Sequence, residues 1–123
     1  MTNADVYKTT AIDGTTTLDP SAPANPCGMI AYSVFNDTYS IAYPNGTNIS
    51  SMTTDGIAWP SDAYRYNMPD PSVMWLNISD PRFQNWMRIA NLPTFRKLWA
   101  RINHDLEAGS YTLTVNNSTY RLK

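Results

Sequence analysis

The sequence predicts a mainly β fold carrying a proline-cornered pair of short helices at about residues 81–104. Two short runs, "MIAYSVF" and "SYTLTV", alternate their side chains with the period of a half-buried strand. Turn-forming Asn, Gly, Pro and Ser punctuate the chain between such runs. Apolar residues at helical spacing stand on both sides of Pro93.

Residues 1–25 are rich in Thr, Ala, Asp and Pro, and Pro20, Pro23 and the following Pro26 are spaced by three. Each proline pushes the residue before it toward extended geometry, so this stretch reads as an extended connector. From Gly28 to Tyr43 the composition turns apolar. "MIAYSVF" alternates, "YSIAY" follows after an Asn-Asp turn, and together they predict a β-hairpin or two neighbouring strands. "PNGTNISSMTTDG" is a polar loop turning at Asn45-Gly46, and Pro60 closes the apolar "IAWP". Residues 60–80 are proline-rich and read as irregular. Asp80-Pro81 then looks like a helix start, with Asp as N-cap and Pro at the first helical position. Phe83, Trp86, Met87 and Ala90 form its apolar face, Pro93 ends it, and Phe95, Leu98, Trp99 and Ile102 repeat the spacing in a second helix. Gly109 closes the helical region, "SYTLTV" is the last strand, and "NNSTY" is a polar turn.

The 123 residues suffice for one domain with a modest core. Nine basic against ten acidic side chains leave a net charge of -1, which supplies no field for a polyanion and argues against nucleic acid as a partner. Charged residues are 15% of the chain, so little of its solubility comes from charge. Carbohydrate is a candidate source. Asn36, Asn45, Asn48, Asn77, Asn116 and Asn117 each head an Asn-X-Ser/Thr acceptor, where chance from composition gives roughly 2.3 such sites. Turn asparagines produce part of that excess, but an extracytoplasmic location accounts for it best. Cys27 is the one cysteine, whereas small secreted domains ordinarily carry several in pairs. The most apolar run, "GMIAYSVF", is far shorter than a membrane span, and "MTNADVYKTT" has neither the basic start nor the apolar stretch of a leader. As it stands, the sequence predicts neither entry into the secretory pathway nor its own anchor.

Catalytic signals are sparse. His104 is the one histidine, which excludes a two-histidine metal pair, and at a helix C-terminus its cation would favour the dipole. A Cys27/His104 nucleophile pair has no support from spacing. The aspartates stand mostly beside Pro, Gly or Asn, where they cap and turn, and the five glycines are isolated, so no phosphate loop exists. No cofactor is implied. Recognition chemistry remains: Trp59, Trp75, Trp86 and Trp99, with Arg88, Arg96, Lys97 and Arg101 around the helical pair, have the composition of interface cores and equally of helix faces packed on a sheet.

Three stretches are more specific. "PCGMIAYSVFNDTYSI" (26–41), "GIAW" (56–59) and "WMRIANLPTFRKLW" (86–99) occur in the order found in the accessory β-subunits of phospholipid flippases. In these motifs the chain resembles the ligand-effect-modulator family, also named after cell division control protein fifty, over about residues 26–115. The closing "AGSYTLTV" looks like the family's strand after the helical corner.

The resemblance implies an antiparallel β-sandwich, jelly-roll-like, as the glycosylated lumenal or extracellular ectodomain of a membrane protein. Residues 26–123 would be part of that ectodomain, its membrane helices lying outside this chain. The implied partner is the catalytic subunit of a type IV P-type ATPase, which such subunits escort from the endoplasmic reticulum and support in lipid transport. The implied role is non-catalytic. Position by position, Cys27 matches a family cysteine that pairs upstream, although no upstream cysteine is present here. Asn36 matches a family acceptor site, while Asn116 and Asn117 substitute for a displaced late one. Where the family often has Trp-Trp after Gly-Ile-Ala, this chain has Trp59-Pro60. Trp59, Trp86, Arg88, Pro93, Phe95 and Arg96 are the motif residues available for partner contact. Two other classes compete: a secreted β-sandwich binding carbohydrate through exposed Trp59 and Trp75, and a small hydrolase with converging aspartates.

Overall fold

A computed structural model describes residues 1–67 and 70–117. Antiparallel strands and irregular chain dominate, with a few short helices. In chain order the elements are α1 (Met29–Tyr32), β1 (Thr38–Ala42), β2 (Met52–Thr53), α2 (Pro60–Arg65), a single 3-10 turn (Pro71–Val73), α3 (Pro81–Met87), β3 (Arg101–Ile102) and β4 (Thr112–Asn116). β1 pairs antiparallel with β4, Tyr39 opposite Val115 and Ile41 opposite Leu113, and β2 pairs antiparallel with β3. These are two separate two-stranded sheets.

The first 25 residues are not an extended connector. Asp13 accepts the N–H groups of Thr15 and Thr16 (2.9 Å each), Asp19 accepts that of Ser21 (2.9 Å), and Asp5 accepts that of Thr2 (2.7 Å), so each aspartate closes a turn. Ladder-like bonds cross between the turns, from Asn3 N–H to Ala22 O and from Leu18 N–H to Thr9 O. The result gathers Val6, Ala11, Leu18 and Ala24 around Trp75, a buried cluster whose last member lies some fifty residues downstream. Trp75 is tied there by its indole N–H to Pro26 O (2.7 Å) and by its backbone N–H to Asn25 O (2.9 Å). The proline spacing was overridden by turn chemistry.

"MIAYSVF" is not a strand. Gly28, at φ 106°, lets the chain enter the one-turn helix α1, whose Ala31 is buried. A short apolar run is ambiguous between the two states, and here contacts decide it: the Trp86 indole N–H takes Ile30 O at 2.8 Å. β1 therefore finds its partner in β4, more than seventy residues on. The Asn45-Gly46 turn forms as expected: Asn45 Oδ1 accepts Thr47 N–H (2.9 Å), and Ile49 N–H returns to Ile41 O (2.7 Å). Residues 60–80 contain more order than expected. Pro60 and Pro71 sit at the starts of α2 and the 3-10 turn, where a missing N–H costs nothing.

α3 starts as its sequence predicts. Asp80 Oδ1 accepts Arg82 N–H at 2.9 Å, and Pro81 stands at the first helical position. Phe83 is buried and Trp86 and Met87 half-buried, while Ala90 falls beyond the helix end and is exposed. Gln84 and Asn85 are buried too, which the apolar spacing did not indicate.

The second helix, and with it the proline-cornered pair, does not form. A helix over 94–104 would need the carbonyls of Leu98 and Trp99 for its own bonds. α3 takes both: Asn85 Nδ2 donates to Leu98 O (2.9 Å) and Arg82 Nε to Trp99 O (3.2 Å). The chain instead runs irregularly to β3. His104 is accordingly not at a helix C-terminus; its Nε2 and Nδ1 each lie 3.0 Å from a hydroxyl, of Tyr43 and Ser51. The expected "NNSTY" turn extends into residues 118–120, outside the described residues.

Candidate functional site

Residues 88–100 follow α3 as a polar-stapled loop that divides two hollows. Lys97 Nζ donates to the carbonyls of Asn85 (3.0 Å), Trp86 and Arg88, groups left unpaired where α3 ends. Partial burial holds its pKa below the ordinary lysine value. Asn85 Nδ2 also reaches Ile57 O at 3.1 Å, so one buried amide joins α3, the 57–59 segment and the loop's return. Both stems of the loop are therefore fixed to the same helix end.

On one side lies a groove of about 590 Å³ between this loop and the β1–β4 sheet, with Phe35, Tyr39, Ile41, Leu98 and Leu113 on its walls. Trp99 packs edge-on against Tyr39 (ring centroids 4.9 Å), and the Arg82 guanidinium lies 3.8 Å from the centre of the Trp99 ring. Trp86 belongs to this side, edge-on to Phe35 at 4.8 Å.

On the other side is an open hollow of about 510 Å³ bounded by Trp59, Arg88, Ile89, Leu92, Phe95 and Arg96. Arg88 bonds Asp62 at 2.8 Å, and its guanidinium stands 4.8 Å from the Trp59 ring centre. Asp62 is buried on α2, so this ion pair fixes α2 to the loop stem. Trp59 is nevertheless 62% exposed, Ile89 85% and Leu92 70%.

Of the six motif residues, Trp59, Arg88, Phe95 and Arg96 thus share one hollow, Pro93 lies exposed in the loop beside them, and Trp86 packs on the opposite side. Sequence reasoning missed Asp62, which its Pro-Ser-Asp context disguised as a turn residue, and Ile89 and Leu92, which lie off the helical spacing. It also missed Lys97 and Asn85 as staples, since nothing local marks a side chain that will cap backbone ten residues away. Asn36, Asn45, Asn48, Asn77, Asn116 and Asn117 are all exposed, though Ser118 and Thr119 of the last two acceptors lie outside the described residues. Cys27 is exposed and has no disulfide partner among the described residues. Among those residues no group of three or more His, Cys, Asp or Glu could hold a metal, and no helix is long and apolar enough to cross a membrane.

The model of the LEM3 (ligand-effect modulator 3) family / CDC50 family matches residues 2–123. ALA-interacting subunit 3 of Arabidopsis thaliana is 36% identical over 115 residues, covering 80% of this chain and 32% of the relative. The phospholipid-transporting ATPase accessory subunit CDC50 of Chaetomium thermophilum is 32% identical over 127 residues, covering 76% and 30%. Cell cycle control protein 50C of Mus musculus is 30% identical over 152 residues, covering 94% and 44%. The chain spans from under a third to less than half the length of these relatives, and with the family match running through nearly all of it, it belongs to the LEM3/CDC50 family.

Proposed function

We propose that the chain is part of the ectodomain of a non-catalytic accessory subunit of a phospholipid-translocating, type IV P-type ATPase, supporting that enzyme's folding, exit from the endoplasmic reticulum and lipid transport. The observation that carries this reading is the family match over residues 2–123, joined to relatives whose names describe them as phospholipid-transporting ATPase accessory subunits, in Chaetomium thermophilum and twice in Saccharomyces cerevisiae.

In this reading residues 26–123 are a portion of an antiparallel β-sandwich on the lumenal or extracellular side, completed by polypeptide outside this chain, whose helices supply membrane association. The exposed edge of β4 supports it, because a two-stranded sheet is marginal alone. The six exposed asparagines support glycosylation there, Asn36 foremost, and exposed Cys27 is available to a cysteine elsewhere in the subunit. The carbohydrate-binding alternative is weaker, since Trp75, one of its two platform rings, is 6% exposed in the core.

The test is affinity purification from membranes of the source organism, using this segment within its full-length polypeptide, with partners identified by mass spectrometry. Recovery of a P-type ATPase supports the reading; a clean preparation holding none overturns it.

A further inference from the structure

Three of the five glycines follow an asparagine or an aspartate: Gly14 after Asp13, Gly46 after Asn45 and Gly56 after Asp55. Such a pair can react with itself, because a glycine nitrogen has no neighbouring Cβ to keep it from the carbonyl carbon of the preceding side chain. The glycine nitrogen bonds to Cγ, a leaving group departs with the proton of that nitrogen, and a cyclic succinimide forms. Water then opens either carbonyl of the ring, giving aspartate or isoaspartate.

The leaving group separates the three sites. At Asn45 the Cγ–Nδ2 bond of a neutral carboxamide breaks and ammonia leaves. A carboxylate must first take up a proton before it can lose water, and at Asp13 the Thr16 hydroxyl and the N–H groups of Thr16 and Thr15 oppose that, holding its pKa at about 2. Asn45 is therefore the most reactive of the three pairs, and it is the one asparagine of the chain followed by glycine.

The fold adds both access and restraint. Asn45 and Gly46 are exposed, Gly46 stands at φ 85°, and the position of an added Cβ there is open space, so neither ring closure nor water is obstructed. Yet both reacting groups are engaged. Gly46 N–H donates to Tyr43 O (2.9 Å), and Asn45 Oδ1 accepts Thr47 N–H (2.9 Å). The attacking nitrogen has to give up a proton that Tyr43 holds, and the carboxamide has to turn away from Thr47. The turn is also braced from outside: Tyr43 N–H donates to Thr47 O (2.9 Å), and the Tyr43 hydroxyl lies 3.0 Å from His104 Nε2. Attack waits for this turn to open, and its rate follows the open fraction.

We infer that Asn45-Gly46 is a site of spontaneous deamidation held in check by the fold, reacting wherever the turn from Tyr43 to Thr47 is open and slowed where it is closed. Isoaspartate lengthens the main chain inside the turn, against the bonds from Tyr43 to Thr47 and from Ile49 to Ile41 that set the register of the returning chain on β1. Aspartate leaves that register alone, since its carboxylate can still accept Thr47 N–H. The nitrogen lost is the one to which a glycan on Asn45 would be attached, so the two modifications exclude each other.

The test uses the full-length polypeptide carrying this segment with Thr47→Val, which deletes the acceptor hydroxyl, keeps the backbone N–H and so leaves Asn45 without a glycan. Where this variant does not keep the near-ultraviolet circular dichroism of wild type, wild type made with N-glycosylation inhibited takes its place. Samples are held at neutral pH for several weeks, folded and in concentrated guanidinium chloride, and aspartate and isoaspartate at each asparagine are measured by peptide mapping. In the denatured chain Asn45 converts ahead of every other asparagine, with isoaspartate among the products. Asn77, whose Oδ1 makes the same bond to Ser79 N–H (2.9 Å) but which precedes Ile78, lags behind it. In the folded protein conversion at Asn45 is slower by roughly tenfold or more. Equal rates in the two samples overturn the inference, because the turn then imposes no restraint. Conversion of another asparagine ahead of Asn45 in the denatured chain, or none at Asn45 there, overturns it as well.

Discussion

The first 27 residues and the stretch from Trp86 to Asn116 are built in opposite ways to their compositions. The first is polar and proline-rich, yet it buries Val6, Ala11, Leu18 and Ala24 around a single large ring, Trp75. The second holds two tryptophans and helix-like apolar spacing, yet Ile89, Leu92, Phe95, Leu98, Leu113 and Val115 remain exposed. Apolar density is therefore not what decides burial here. In the first region, side-chain-closed turns bring small residues onto one ring whose polar atom is satisfied. In the second, a buried amide and a partly buried ammonium hold the backbone through its carbonyls, and the apolar side chains stay exposed.

Removing the ring breaks the comparison most. Trp75→Ala empties the centre of the first region and orphans the carbonyl of Pro26, so it costs about 3–5 kcal/mol, read as a large drop in the urea midpoint. Trp59→Ala, with an exposed ring stacked by Arg88, costs under about 1 kcal/mol. Equal losses for the two would mean that the first region has no core of its own.

The second region is sharpened by Lys97→Met, which keeps the apolar stem and removes three bonds to carbonyls at and just beyond the end of α3. A loss of about 2 kcal/mol is expected, with faster amide hydrogen exchange along residues 88–100. If exchange there is unchanged, the polar staples do not hold the loop. Asp80→Ala removes the α3 cap and costs about 1 kcal/mol, without slowing or speeding exchange in the first 27 residues.

The smallest effect concerns pH. The Thr16 hydroxyl and the N–H groups of Thr16 and Thr15 lower the Asp13 pKa from 3.8 to about 2. Because the folded value is the depressed one, the contribution is present above the unfolded pKa and fades as pH falls from about 4 toward 2. Wild type should thus show a steeper acid dependence of stability than Asp13→Asn in this window, though weakly, since the carboxylate is fully exposed to solvent. Identical acid profiles would show that the turn does not depend on the charge.

Where a signal was local, it could be read in advance. Asp80-Pro81 starts α3, Asn45-Gly46 turns the chain back on β1, and "YSIAY" after its Asn-Asp turn and the alternation in "SYTLTV" mark the strands that become β1 and β4. Ambiguous or competing signals failed. "MIAYSVF" fits strand and helix equally, and the spacing of Phe95, Leu98, Trp99 and Ile102 describes a helix that would need carbonyls Arg82 and Asn85 already use. The candidate site was half legible: Trp59, Arg88, Phe95 and Arg96 stood in the motifs, but Asp62, Ile89, Leu92 and Lys97 acquire their roles only from what lies across space.

Caps, turns, strand alternation, acceptor asparagines and family motifs are determined by the sequence itself, because each depends on residues within a few positions of one another. Which strand pairs with which, which ring the N-terminal turns enclose and which carbonyls the buried side chains claim were decided only by the tertiary structure. Those outcomes are competitions for the same backbone groups and the same apolar surface between residues from 9 to 78 positions apart, and only the assembled fold shows which competitor wins.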